Sequence, residues 1–247
     1  MIQKNQGANL ITSQNTLVII PASSDGGDTP TTLLTLNGKR LIYYAIDIAR
    51  QIAENIEICV TTSDANIVNT VTEYGLSVPF KLPDELYSKV LDVDEAVLYA
   101  IDHYARKDIN FDKVIILAPR SPFCRAAHIW EAANLLKENV EMVAAVKVLT
   151  EPTGQYYLTE NQEGYLLRHS DVPTFNNGSI YKYNNAFAIL KTSAIRQYPR
   201  SFFRRICKYI MDSTASIFVE NMNDIARCEN IILGEDTESQ ISKSIQF

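Results

Sequence analysis

Thr16-Leu17-Val18-Ile19-Ile20-Pro21 is a short, continuous apolar run closed by proline, the pattern of a strand buried on both faces of a parallel sheet. A turn-rich stretch, 22–32, follows. From Arg40 to Ala53 the residues Leu41, Ile42, Ala45, Ile46, Ile48, Ala49 and Ile52 then fall at helical spacing, and Ile56 to Thr61 reads as a second strand. Together they predict one β-loop-α-β unit. The alternation continues with a helix from about Asp64 to Glu73, an extended Val78 to Phe80, a helix from Val93 to Ala105, a strand from Lys113 to Ala118, a helix from Ala126 to Lys137 and a strand from Met142 to Leu149. Repeated strands and helices of these lengths predict a three-layer α/β/α sandwich with a mostly parallel sheet, right-handed crossovers and ligands at the carboxyl ends of the strands.

After Leu149 the chain turns tyrosine-rich, with a hairpin expected from Gln155 to Glu160 and Tyr165 to Arg168 around Glu163-Gly164. A strand from Ala186 to Leu190, a helix around Ser193 to Arg196, a helix near Ser201 to Met211, a strand from Ser216 to Val219 and a helix near Asp224 return to the core. Neither an internal repeat nor a linker interrupts this order. The reading is one domain over 16–233, with a leader at 1–15, a tail at 234–247, and an insertion near 150–183 that supplies substrate contacts or a dimer surface.

The 247 residues are 46% hydrophobic and 21% charged, enough for a sizeable core. Lys plus Arg number 23 against 29 Asp plus Glu, a formal charge of -6. No chain-wide basic footprint exists for nucleic acid or an anionic membrane, so any polyanionic ligand must meet local positive charge. Cys59, Cys124, Cys207 and Cys228 stand singly, without Cys-x-x-Cys or histidine at metal-ligand spacing, so neither a zinc cluster nor a disulfide framework is indicated. The first 15 residues lack the apolar stretch of a secretion signal, and no run approaches the ~20 apolar residues that span a bilayer. A cytoplasmic, reducing location is expected.

Pro21-Ala22-Ser23-Ser24-Asp25-Gly26-Gly27-Asp28-Thr29-Pro30 joins the first strand to the first helix. Small residues there allow close approach of backbone N–H groups to an anion. The loop lacks both the P-loop and the dinucleotide fingerprint, and it reads equally as a solvated turn. It is followed by Leu36-Asn37-Gly38-Lys39-Arg40, Thr61-Thr62-Ser63-Asp64, Tyr74-Gly75-Leu76-Ser77, Leu117-Ala118-Pro119-Arg120-Ser121-Pro122-Phe123, Arg168-His169-Ser170-Asp171 and Asn176-Asn177-Gly178-Ser179-Ile180-Tyr181. In this order, from about Leu17 to Cys228, the chain resembles the acylneuraminate cytidylyltransferases, or CMP-sialic acid synthetases, and their CMP-KDO synthetase relatives.

The resemblance implies a GT-A-like, Rossmann-like nucleotidyltransferase fold and a homodimer. It also implies transfer of CMP from CTP to an acidic, sialic-acid-like sugar with Mg2+. By this likeness Ala22, Ser23, Ser24, Asp25, Gly26, Gly27, Arg120 and Ser121 fall at the nucleotide, Arg168, Asn177 and Gly178 at the sugar, and Glu220 at the metal. No residue is singled out as catalytic; Asp25 and Asp64 are the carboxylates in the expected neighbourhood.

The chain departs from the family's pattern at several of these positions. Ser23 and Gly27 stand where the family has arginine and lysine, Thr32-Leu33 where it has Lys-Asn, Ala118 where it has glutamine, and Phe218-Val219-Glu220-Asn221 where its Asp-Ile-Asp-Thr holds the metal. A hydrogen bond to a charged group is worth about 1.5–3 kcal/mol, and Asp25 and Asp28 add negative charge to the loop. Two readings follow: a cytidylyltransferase with altered nucleotide handling, or an inactive sugar- or nucleotide-binding protein on the same scaffold. His103 and His128 are expected on solvated helix surfaces, and His169 beside Arg168 could touch a ligand. The basic run from Ser201 to Lys208 is expected as a helix face or subunit contact.

Overall fold

A computed structural model describes residues 10–12, 14–23, 29–83, 93–150, 157–169 and 179–234. In chain order its elements are β1 (Thr16–Pro21), β2 (Thr35–Leu36), β3 (Lys39–Arg40), α1 (Leu41–Ile52), β4 (Glu57–Thr61), α2 (Ala65–Glu73), α3 (Val93–Ala105), β5 (Lys113–Leu117), α4 (Ala126–Ala133), β6 (Met142–Leu149), β7 (Tyr157–Glu160), β8 (Leu166–His169), β9 (Ile180–Lys191), α5 (Thr192–Gln197), β10 (Ile206–Ile210) and α6 (Met222–Leu233). The main sheet has the order β10-β6-β9-β5-β1-β4, and of these six strands only β9 runs against the others. That is the mostly parallel sheet expected from the alternation.

β1 is an interior strand, between β5 and the edge strand β4, and its side chains are apolar on both faces. Val18 and Ile20 pack with Ile42, Ala45 and Ile46 of α1 and Ile129 of α4. Leu17 and Ile19 face the other way, onto Val97, Ala100 and Ile101 of α3. Burial of a side chain of this size is worth about 1.5–3 kcal/mol, so two packed faces hold β1 between its parallel neighbours, with Leu17 beside Glu57 of β4 and Val114 of β5. The helices on either side make the three layers.

Local chemistry sets several element ends. Asn37 (φ 47°) and Gly38 (φ 73°) form the two-residue turn between β2 and β3, the positive-φ pair that Asn-Gly supplies at little cost. Asp64 caps α2, its carboxylate accepting from the N–H groups of Asn66 at 2.7 Å and Ile67 at 3.2 Å. That role accounts for the carboxylate the sequence left open. At α6, Asn221 and Asp224 form a reciprocal capping box and Gly234 (φ 75°) closes the C-terminus.

Several expected elements differ. The segment from Ser201 to Met211 forms a 3-10 turn at Arg200–Phe202 and then strand β10, not a helix. Parallel pairing of Ile206 with Met142 and of Ile210 with Val146 decides this; an apolar run of that length fits either period until a sheet edge is offered. The basic stretch is therefore partly an edge strand. Ser216 closes a turn, its N–H donating to Asp212 O, and Ile217 to Val219 form no strand, with Ile217 N–H donating to Thr214 O. The helix expected to reach Lys137 ends at Ala133, followed by shorter-range turns. Val78 to Phe80 forms no strand, and β9 runs to twelve residues rather than five. The hairpin is present as β7 and β8, joined to the sheet by Leu158 opposite Tyr181 of β9.

Candidate functional site

β5 and β1 end side by side, and beyond their carboxyl ends opens a cleft of about 920 Å³. Its floor is kept low by small side chains: Ala144 of β6 and Ala188 of β9 are cross-strand partners, Ala188 also faces Ile116 of β5, and Ala118 continues the row. The rim brings together Ser23 after β1, Arg120 after β5, Arg168 of β8, Arg200 of the 3-10 turn and Glu220 before α6. Four residues placed at ligands from sequence, Ser23, Arg120, Arg168 and Glu220, thus converge from four separate parts of the chain.

The three arginines are held differently. Arg168 donates from its guanidinium to the carbonyl oxygens of Arg200, at 2.8 Å, and of Ser201. This fastens the hairpin to the 3-10 turn. Arg200 is paired through Nε with the buried carboxylate of Asp94, which also accepts the Arg200 N–H at 2.8 Å. Arg120 has no carboxylate within ion-pair distance among the described residues; its guanidinium carbon lies 4.4 Å from the ring centre of Phe218. Glu220 is exposed, without an ion pair among the described residues, and its N–H donates to Asp224. The other candidate cations lie elsewhere. Lys39 is paired with Asp47, Arg125 lies 3.0 Å from His128 Nε2, and Arg40 borders a separate hollow of about 370 Å³ with Asn66, Asn69 and Glu73.

Two hydroxyls at the cleft, Thr32 Oγ1 and Tyr183 OH, are buried without a hydrogen-bond partner among the described residues. Buried polar atoms are usually satisfied, so such atoms at a cleft point to groups that a ligand supplies. Asn185 also borders the cleft, at φ 60° in an irregular part of β9, where the pairing with β6 shifts between Ala144 and Val146. Bulges next to a site re-aim a side chain in this way. Its neighbour Asn184 is buried and braces the bulge, donating to Ser216 Oγ at 3.0 Å and accepting from Ala186 N–H at 3.1 Å.

Ala22 and Ser121 are placed differently from the rest of the nucleotide set. Ala22 is buried, its N–H bonded to Thr61 O at 3.0 Å. Ser121 is buried, its Oγ without a hydrogen-bond partner among the described residues, and does not border the cleft. Ser24, Asp25, Gly26, Gly27, Asn177 and Gly178 lie outside the described residues. His128 is buried rather than solvated; burial first and then the adjacent Arg125 charge hold its pKa below the usual histidine range. His103 packs on Phe80, with ring centres 4.5 Å apart. Asp94, Tyr183, Asn185 and Arg200 were missed from sequence. Asn184-Asn185 inside an apolar run was the one signal available for any of them.

The family model described as Cytidylyltransferase matches residues 29–237. The chain belongs to the cytidylyltransferase family. The match spans most of the chain, including Arg120, Arg168, Arg200 and Glu220. CMP-N,N'-diacetyllegionaminic acid synthase of Legionella pneumophila is 27% identical over 226 residues, which cover 87% of this chain and 95% of that protein. A solved structure of CMP:2-keto-3-deoxy-manno-octonic acid synthetase complexed with CTP has the same fold, with a TM-score of 0.69 at 13% identity over 90% of this chain and 100% of that one. The 4-diphosphocytidyl-2C-methyl-D-erythritol synthase of Anaerococcus prevotii gives a TM-score of 0.59 at 11% identity, covering 90% and 99% of the two chains. The sequence resemblance to cytidylyltransferases and the nucleotidyltransferase fold it implied are both borne out.

Proposed function

We propose that this cytidylyltransferase-family protein transfers CMP from CTP to an acidic, sialic-acid-like sugar in the cleft beyond β1 and β5. The observation that carries the reading is the convergence of Arg120, Arg168 and Arg200 on one cleft in a chain whose net charge is -6. Both substrates are anions, and local guanidinium groups meet the requirement the acidic chain sets. The Legionella relative, whose name makes it a synthase of a CMP-linked acidic sugar, supports the choice of acceptor.

In this reading a sugar hydroxyl attacks the α-phosphorus, the bond to the β-phosphate breaks and pyrophosphate leaves. Negative charge spreads over the phosphate oxygens, so positioned positive charge is the main catalytic resource. Arg120 is placed for the phosphates. Arg168, whose guanidinium is fixed by two backbone carbonyls, would meet the sugar carboxylate, and Asn185, which borders the same cleft, a neutral polar group. Among the described residues no group of three or more His, Cys, Asp or Glu side chains could hold a metal. Glu220 alone meets the lower limit for Mg2+, which binds through one or two carboxylates plus substrate phosphate oxygens. When bound there, Mg2+ would neutralise phosphate charge.

Full-length protein with CTP, Mg2+ and a panel of nine-carbon acidic sugars should release pyrophosphate only when sugar is present. No release at high enzyme concentration removes the transfer claim. A second reading, binding without turnover, is favoured by one observation: no lysine borders the cleft among the described residues. It predicts a thermal shift with sugar and none with nucleotide, since a ligand that binds only the folded state stabilises it by RT ln(1 + [L]/Kd).

We further infer a homodimer through 150–183 and a single domain over 16–233. Four free cysteines fit a reducing, cytoplasmic setting, and among the described residues no helix is long and apolar enough to cross a membrane.

A further inference from the structure

We propose that Asp94 is a positioning residue for the acidic sugar: it acts through Arg200 to hold the guanidinium of Arg168 at the cleft. This rests on Arg168 meeting the sugar carboxylate, and adds how that guanidinium is kept in place. Arg168 is an exposed arginine on a hairpin that joins the sheet through Leu158, opposite Tyr181 of β9. A free side chain of that kind has rotamer freedom to lose when it binds an anion. Here the freedom is already gone, because the guanidinium donates to the carbonyl oxygens of Arg200 and Ser201 in the 3-10 turn. The turn therefore sets the aim of Arg168.

A 3-10 turn this short has few bonds of its own to hold it. Phe202 N–H donates to Pro199 O at 2.9 Å and Phe203 N–H to Arg200 O at 3.2 Å, and none of the three residues Arg200–Phe202 is buried. Asp94 supplies a fixed point from outside the turn. One of its carboxylate oxygens accepts the backbone N–H of Arg200 at 2.8 Å, and the other pairs with Nε of the same residue. Main chain and side chain of Arg200 are thus clamped by one group, through charge-assisted hydrogen bonds, the stronger kind. The Asp94 side chain is 11% exposed, against 26% for Arg200. It stands in the first turn of α3, whose Val97, Ala100 and Ile101 pack on Leu17 and Ile19 of β1. The clamp is anchored in the core, and Asp94, Arg200 and Arg168 all border the cleft. Because Asp94 neutralises Arg200, the pair contributes position to the site without adding net charge.

The test titrates the full chain by calorimetry with N-acetylneuraminic acid and, separately, with CTP. Asp94→Asn and Arg200→Ala change the local charge in opposite directions, yet both release the turn. Each is expected to weaken sugar binding about tenfold, the lower end of what removing a partner behind a ligating group costs, and to leave CTP affinity unchanged. Arg200→Lys, which keeps the charge and a donor for Asp94, should recover most of the sugar affinity. In an Arg168→Ala background Asp94→Asn should have no further effect, since residues that act through one another are not additive. Should Asp94→Asn fail to fold, Arg200→Ala, a change at the more exposed partner, carries the same cycle with Arg168→Ala. Opposite shifts in Asp94→Asn and Arg200→Ala would show that charge and not position is at work, and overturn the proposal. Additive losses in the Arg168→Ala background, or an equal loss of CTP affinity, overturn it as well. Failure of the parent reading looks different: Arg168→Ala itself then binds the sugar as tightly as the unaltered protein.

Discussion

Glu141 sits at the start of β6, nearly inaccessible, and accepts from the N–H groups of Arg204 at 2.9 Å and Arg205 at 2.8 Å and from the Tyr198 hydroxyl. Burial by itself would push its pKa up, but the hydrogen bonds from Tyr198, Arg205 and Arg204 and the Arg205 charge outweigh burial and hold it below 4.5. A carboxyl depressed in the folded state adds stability above its unfolded pKa and loses it as pH falls through the folded value. Glu141→Gln is therefore expected to cost about 1–2 kcal/mol at pH 7, read as a lower urea midpoint. The gap from the parent protein should close as pH drops below 4.5, the ordinary value from which Glu141 is lowered. An unchanged gap at pH 3 would count against the charge-assisted role. Glu141 was not legible beforehand, because its partners, Tyr198, Arg204 and Arg205, are brought to it only by the pairing of β10 with β6. Arg168 was legible, because its neighbours in sequence carried a resemblance; the carbonyls that fix it were not.

At the scale of elements, β1, α1 and β4 follow directly from apolar spacing, since each packs the same face its period marks. β10 and the middle of β9 escape that logic. Ile206 and Ile210 become a strand by joining an open sheet edge, and Asn184-Asn185 remains in the sheet as a bulge braced through Ser216. Such outcomes depend on neighbours distant in sequence. The bulge makes a prediction of its own. Asn185 has φ 60°, a left-handed conformation that costs a non-glycine residue about 1–2 kcal/mol unless its side chain compensates. Asn185→Gly should keep the unfolding free energy within a few tenths of a kcal/mol, while Asn185→Val should lower it by about 1 kcal/mol or more. Equal urea midpoints for the two variants would show that the bulge relaxes at no cost.

For the whole molecule, fold and family stood on firmer sequence ground than the site did, and the structure explains why. Strands such as β1, β4 and β5 are apolar runs that any reader of the chain can find. The cleft depends on side chains such as Asp94 and Arg200, which are 106 positions apart and meet only after folding. Arg120, without a carboxylate partner among the described residues, borders the cleft, so an acidic chain still presents positive charge where anions would enter. The most direct test of the account is phosphorus NMR of full-length protein mixed with CTP, Mg2+ and a sialic-acid-like sugar. The account predicts loss of the three triphosphate resonances, with pyrophosphate and one new phosphodiester resonance growing together only when sugar is present. Unchanged CTP resonances at high enzyme concentration, or breakdown of CTP at the same rate without sugar, would contradict it.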